Sequence, residues 1–210
     1  MSSVHTYQTI ASPVEAEFKD KGSRFIAFAY PVRHPKEIKE KVDALRQAHH
    51  KARHWCYAYR LGTEGLQFRA NDDGEPAGSA GRPILGQIDS CALTDVLVVV
   101  VRYFGGTLLG VPGLIHAYKT ATAAALQAAQ VVEKNIEREI RVCCSYPVLH
   151  EAVRIIKQNQ AELVEQDLQL ECRLLVRIPL ANYERCVQAL LDTRQIELEE
   201  MGVQQDAEDD

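Results

Sequence analysis

No stretch of this chain is apolar for long enough to cross a bilayer. The longest purely aliphatic run, Val96 to Val101, is six residues, against the roughly 20 that a membrane helix needs. The start, MSSVHTYQTIAS, lacks both a basic cluster and an apolar core, so no signal peptide is expected and a cytoplasmic location is. None of the six cysteines (Cys56, Cys91, Cys143, Cys144, Cys172, Cys186) forms a CxxC pair. That predicts reduced thiols, with neither a disulfide framework nor a zinc site. GxxxxGK[ST] and GxGxxG are missing as well, so neither familiar phosphate fingerprint announces a cofactor. No internal repeat is present.

What is there is the composition of an ordinary globular protein, 46% hydrophobic and 25% charged over 210 residues, which excludes wholesale disorder. The net charge of −5 conceals an asymmetry. Residues 1–132 carry 15 Lys and Arg against 12 Asp and Glu, and residues 133–210 carry 9 against 17. Seven acids fall in the last fourteen residues, with no Lys or Arg among them. An acidic, disordered tail is therefore expected over 203–210, and the first half is the place to seek an anionic partner.

Hydrophobic spacing predicts an α/β chain of the α+β kind, divided into domains at 1–132 and 133–202. The second domain reads β-α-β-β-α-β: strands over 136–146, 161–167, 171–179 and 196–198, and helices carrying Leu149 to Ile156 and Leu180 to Leu191. That is the ferredoxin-like plan. The first domain opens with strands near 5–10, 14–19 and 24–31. A helix follows through Ile38, Val42, Leu45 and His49, then strands at His54–Leu61 and Leu66–Arg69. A helix is expected from about Pro76. Asp95 to Arg102 should be a central strand buried on both faces. Pro112 suits the first position of an alanine-rich helix running to about Gln130. A linker is expected over Val131 to Asn135.

Two glycine-rich polar segments are the candidates for chemistry. In NDDGEPAGSAGRP, Asn71 to Pro83, backbone N–H groups around Gly78, Ser79 and Gly81 suit an anion at a helix start. Asp72, Asp73 and Glu75 suit a divalent cation or a general base. They suit equally a plain turn whose acids favour the helix dipole. In RYFGGTLLGVPG, Arg102 to Gly113, a polar and aromatic cluster ends a buried strand where α/β folds place ligands. Arg102, Tyr103, Gly105 and Gly106 are its candidates, unless the glycines simply make a tight connection. His54 is either a base or a core histidine; no nucleophile beside it has a readable geometry, and no catalytic residue is assigned. Tyr57, Tyr59, Tyr103 and Phe104 suit base stacking beside Arg53, Arg69 and Arg102, though strand aromatics are commonly core.

Across residues 81–110 the sequence carries Gly81, Ile84, Leu85, Ile88, Leu93, Val99, Val100, Arg102-Tyr103-Phe104-Gly105-Gly106, Leu109 and Gly110. It is flanked by Lys21, Ser23-Arg24-Phe25, by Ala52-Arg53-His54, Cys56 and Ala58, and by Asp72-Asp73-Gly74-Glu75-Pro76, Gly78 and Ala80. This pattern resembles the signature of the IMPACT/YigZ family over roughly residues 13–130. The resemblance implies a first domain like the second domain of the fifth small-subunit ribosomal protein, and a second like the ferredoxin-like domains of elongation factor G. Eukaryotic members regulate the kinase of the amino-acid starvation response and carry an additional RWD domain, for which these residues show no counterpart. The expected function is a non-enzymatic regulator, bound to RNA, the ribosome or a protein of the translation or stress machinery. Lys21, Arg24, Arg53, His54 and Arg69 are the nucleic-acid candidates, with no preference for DNA readable. The alternative is a nucleotide- or phosphate-binding protein with phosphotransfer or hydrolase activity.

Overall fold

In the computed structural model, residues 5–169 and 171–200 are described, and they form two units, one of Thr6–Lys134 and one of His5 with the residues from Asn135 onward. The first unit begins with β1 (Thr6–Ile10), β2 (Val14–Asp20), β3 (Ser23–Pro31), α1 (Pro35–Ala48), β4 (His54–Leu61) and β5 (Gln67–Asn71). It continues with α2 (Gly81–Ser90), β6 (Val96–Tyr103) and α3 (Gly110–Ala128), and β7 (Val131–Asn135) closes it. The second unit runs β8 (Glu137–Cys144), α4 (Leu149–Gln158), β9 (Glu162–Leu168), β10 (Cys172–Pro179), α5 (Leu180–Leu191) and β11 (Ile196–Glu200).

Five strands in the order β2-β3-β6-β4-β5 make the sheet of the first unit, every neighbour antiparallel. β6 lies at its centre because its sequence, VLVVVVRY, is apolar on both faces of the pleat. Val96, Val98 and Val100 meet α2 and α3, while Leu97, Val99 and Val101 meet Ile38, Val42 and Leu45 of α1. Pro35 opens α1, and the Glu37 carboxylate accepts the N–H groups of Arg33 and His34, which fixes the entry of the helix. Ala117, Ala121 and Ala125 have no exposed surface, so α3 sits close against the sheet.

Three sequence expectations are corrected here. α2 begins at Gly81 rather than near Pro76, because residues 72–80 are taken up by turns. Pro112 is the third residue of α3, not the first. The segment read as a linker is β7, which pairs with β1.

The second unit is a four-stranded sheet, β11-β8-β10-β9, again antiparallel throughout. Ile140, Val142, Cys144, Leu174, Val176 and Ile178 form its core with Ile155 and Ile156 of α4 and Leu190 of α5. The acidic tail expected over 203–210 lies outside the described residues.

Candidate ligand site

The two glycine-rich segments meet at one end of the five-stranded sheet, where β6 finishes and β4 begins. Register pairs His54 with Arg102 across β4 and β6, and Arg24 with Tyr103 across β3 and β6. Arg102, only 5% exposed, donates from Nη1 to Glu75 Oε1 at 2.6 Å. The Tyr118 hydroxyl donates to the same oxygen at 2.8 Å. Cys56 Sγ lies 3.2 Å from that hydroxyl and 2.9 Å from the Asp72 carbonyl oxygen. Burial pushes both the Cys56 thiol and the Tyr118 phenol well up, so each stays protonated and serves as a hydrogen-bonding group rather than a nucleophile.

The neighbouring acids are held by the fold in different ways. The Asp72 carboxylate accepts the N–H groups of Gly78 (2.8 Å), Ala80 (3.0 Å) and Gly81 (2.8 Å). It thus fills with an internal carboxylate the anion position that these N–H groups offer at the start of α2. Burial works to raise its pKa, but those three donors together with Arg82 outweigh burial and hold it below the ordinary value. Asp73, at φ 43°, accepts the Trp55 N–H and pairs with Arg46, both at 2.7 Å. The Glu75 N–H donates to the Asp72 carbonyl at 2.9 Å, so Asp72 to Glu75 is a closed turn. Ser79 is fully buried and donates to the Pro76 carbonyl.

Of the glycines, Gly105 has a plain packing reason. A Cβ there would stand 1.9 Å from the Gly22 carbonyl carbon, while the Gly105 N–H donates to Ser23 Oγ at 3.1 Å. Gly81 is similar, for its Cβ would meet the Asn71 nitrogen at 2.5 Å. Gly78 and Gly106 take positive φ, 74° and 87°.

His54 Nδ1 lies 2.8 Å from the Asp73 carbonyl oxygen and therefore donates to it, which turns Nε2 toward Glu75 Oε1 at 3.8 Å. The Arg102 guanidinium lies between two rings, with its carbon 5.4 Å from the centroid of Phe25 and 5.7 Å from that of Phe104. Beside it opens a cavity of about 560 Å³, walled by Arg53, His54, Glu75, Phe104, Leu108 and the opening residues of α3.

Among the nucleic-acid candidates, Lys21, Arg24, Arg53 and His54 gather at this same end of the sheet. Arg24 reaches Glu17 at 2.8 Å, and its guanidinium lies over the Tyr103 ring. Arg69 stands apart, opposite Tyr59 on the edge strand β5. Tyr118 and Leu108 had escaped the sequence reading. Tyr118 looks like one more apolar residue of an alanine-rich helix, and nothing local distinguishes Leu108. A second hollow of about 620 Å³ lies between Gln8, Arg60 and Asp89, where Arg60 is already bonded to Asp89 and to the Gly65 carbonyl.

Residues 21–126 match the family model of the Impact N-terminal domain. The IMPACT family member YigZ of Escherichia coli is 32% identical over 197 residues, 93% of this chain and 97% of that protein. Protein IMPACT of Homo sapiens is 38% identical over 121 residues, 55% of this chain and 35% of that one. A crystal structure of a hypothetical protein superposes with a TM-score of 0.76 at 30% identity, covering 95% of this chain and 98% of the other.

Proposed function

The chain belongs to the IMPACT family, and we propose that it serves there as a translation-related binding protein rather than a catalyst. In this reading it grips RNA or the ribosome with the end of the five-stranded sheet. The observation that carries the reading is that Lys21, Arg24, Arg53 and His54 all lie at this end of the sheet, with Arg24 over the Tyr103 ring on the α1 face and Arg53 and His54 sharing a cavity with the half-exposed Phe104 on the other. Cations beside stackable rings suit a single strand, whose backbone is anionic and whose bases are flat. The carboxylates nearby support binding over catalysis, since Asp72, Asp73 and Glu75 are each committed to a backbone N–H, an arginine or both.

We extend the reading to the fold likeness of each unit. The first suits the second domain of the fifth small-subunit ribosomal protein. The second, with strand order β11-β8-β10-β9, suits the ferredoxin-like domains of elongation factor G. Its open sheet face pairs Arg141, Arg173 and Arg177 with glutamates, so the RNA contact belongs to the first unit. A cytoplasmic location agrees with the six free cysteines, five of them buried.

The test is co-sedimentation with ribosomes, with anisotropy of a labelled single-stranded RNA read across a salt series. Phosphate contacts release counterions, so affinity should fall steeply with salt. The triple change of Lys21, Arg24 and Arg53 to Ala should flatten the log–log slope by about two. No binding of either partner at low salt would overturn the reading.

A further inference from the structure

The cavity at the end of β6 joins four features. The first is Arg102, nine-tenths buried, whose Nε has no acceptor among the described residues although its Nη1 is bonded to Glu75. A buried guanidinium N–H without an acceptor is costly, and Arg102 itself lines the cavity. The second is the start of α3, whose opening residues Gly110 and Val111 line the same cavity. The first N–H groups of a helix have no partner within it, and this start carries no side-chain cap and no acid in its first turn. That is the opposite of α2, where Asp72 fills the place. The third is Arg53, a further cation on the wall. The fourth is an apolar side, in which Phe104 is 46% exposed and Leu108 84% exposed.

We propose that this cavity binds a nucleoside monophosphate unit, with its phosphate against Arg102 and the Gly110 and Val111 N–H groups and its base against Phe104 and Leu108. Donors arriving from a guanidinium and from a helix axis meet a tetrahedral, three-oxygen head better than a planar carboxylate. The flat ring of Phe104 suits a base, and the volume of about 560 Å³ has room for one nucleotide. Glu75 offsets one of the two arginine charges, which leaves the wall with a net positive charge for an anionic head. The unit has two sources, a free nucleotide or the 5′-phosphorylated end of a strand. The site goes beyond RNA gripping by the sheet end, because a free nucleotide suffices for it.

The experiment is a titration of the full chain, labelled with ¹⁵N, by AMP, adenosine, inorganic phosphate and a 5′-phosphorylated tetranucleotide. The expected result is a saturating shift of the Arg102 Nε–H, Gly110 and Val111 signals with AMP or the tetranucleotide. Adenosine and phosphate alone should each bind at least about tenfold more weakly. A tighter tetranucleotide identifies a strand end as the source, and a tighter AMP identifies the free nucleotide. Arg102 supports the core, so the decisive variant is Val111→Asp. That residue is 47% exposed, and an acid in the first turn favours the helix. The variant should fold as well as wild type and lose AMP binding at least about tenfold. Three results would overturn the site: no shift at these three signals, binding unchanged in Val111→Asp, or phosphate binding as tightly as AMP. Salt-dependent RNA binding that survives any of them leaves the sheet-end reading standing.

Discussion

The two sheets treat their polar side chains in opposite ways. The five-stranded sheet is covered on both faces, by α1 on one side and by α2 and α3 on the other. Its buried polar side chains therefore gather where strands end, and the Arg102–Glu75 pair lies there, 6% and 3% exposed. Within its own unit the four-stranded sheet is covered on one face, by α4 and α5. Its other face carries Arg177 bonded to Glu139 at 2.8 Å and Arg141 facing Glu199 at 3.3 Å, every side chain at least a third exposed. Similar residue types thus make a buried polar cluster in one unit and a solvated surface in the other. What differs is the dielectric around them, and that decides how much each pair matters.

The largest effect that sharpens this contrast is in the ion pairs. Glu75→Ala leaves Arg102 buried without its partner and should lower the stability of the first unit by about 3–5 kcal/mol. Glu139→Ala in the second unit should cost under about 1 kcal/mol. Urea unfolding of both variants measures this, and equal losses would break the comparison. Next comes Gly105→Ala, whose Cβ cannot fit beside Gly22 and should cost about 3 kcal/mol, read by thermal melting.

The smallest expected effect is at Asp72. Asp72→Asn keeps one acceptor oxygen and should cost about 1 kcal/mol near neutral pH. The folded carboxyl titrates below its ordinary value of 3.8, so its contribution is present above that value and is lost as pH falls through the depressed one. Wild type and Asp72→Asn should therefore converge in stability as pH drops through this window. Curves that stay parallel would show that the carboxylate charge contributes nothing.

Periodicity made much of this fold legible. The unbroken aliphatic run of Val96 to Val101 marked a central strand buried on both faces, and the spacing of Ile38, Val42 and Leu45 marked α1, because burial faces follow from local geometry. β7 was hidden, since Val131 to Asn135 alternates too weakly and over too few residues. The start of α2 was misread because Pro76 has the look of a helix opener, whereas Asp72 reaches across to the N–H groups of Ala80 and Gly81. The polar character of the site was visible in its two segments. Its logic was not, because Tyr118 on Glu75 and Gly105 on Gly22 join residues 43 and 83 positions apart. Contacts at such separations leave no local pattern.

The position of β6 also sets an order of events during synthesis. β3 and β4 follow one another along the chain with only α1 between, yet they do not pair; both wait for residues 96–103 to enter between them. Until that strand has left the ribosomal exit tunnel, the nascent chain holds two apolar strands with open edges and no centre. Long-range pairing of this kind is slow and exposed to aggregation. A stall in translation before Tyr103 should therefore leave a chain that associates with chaperones, while release after α3 lets the sheet close around its last-made strand.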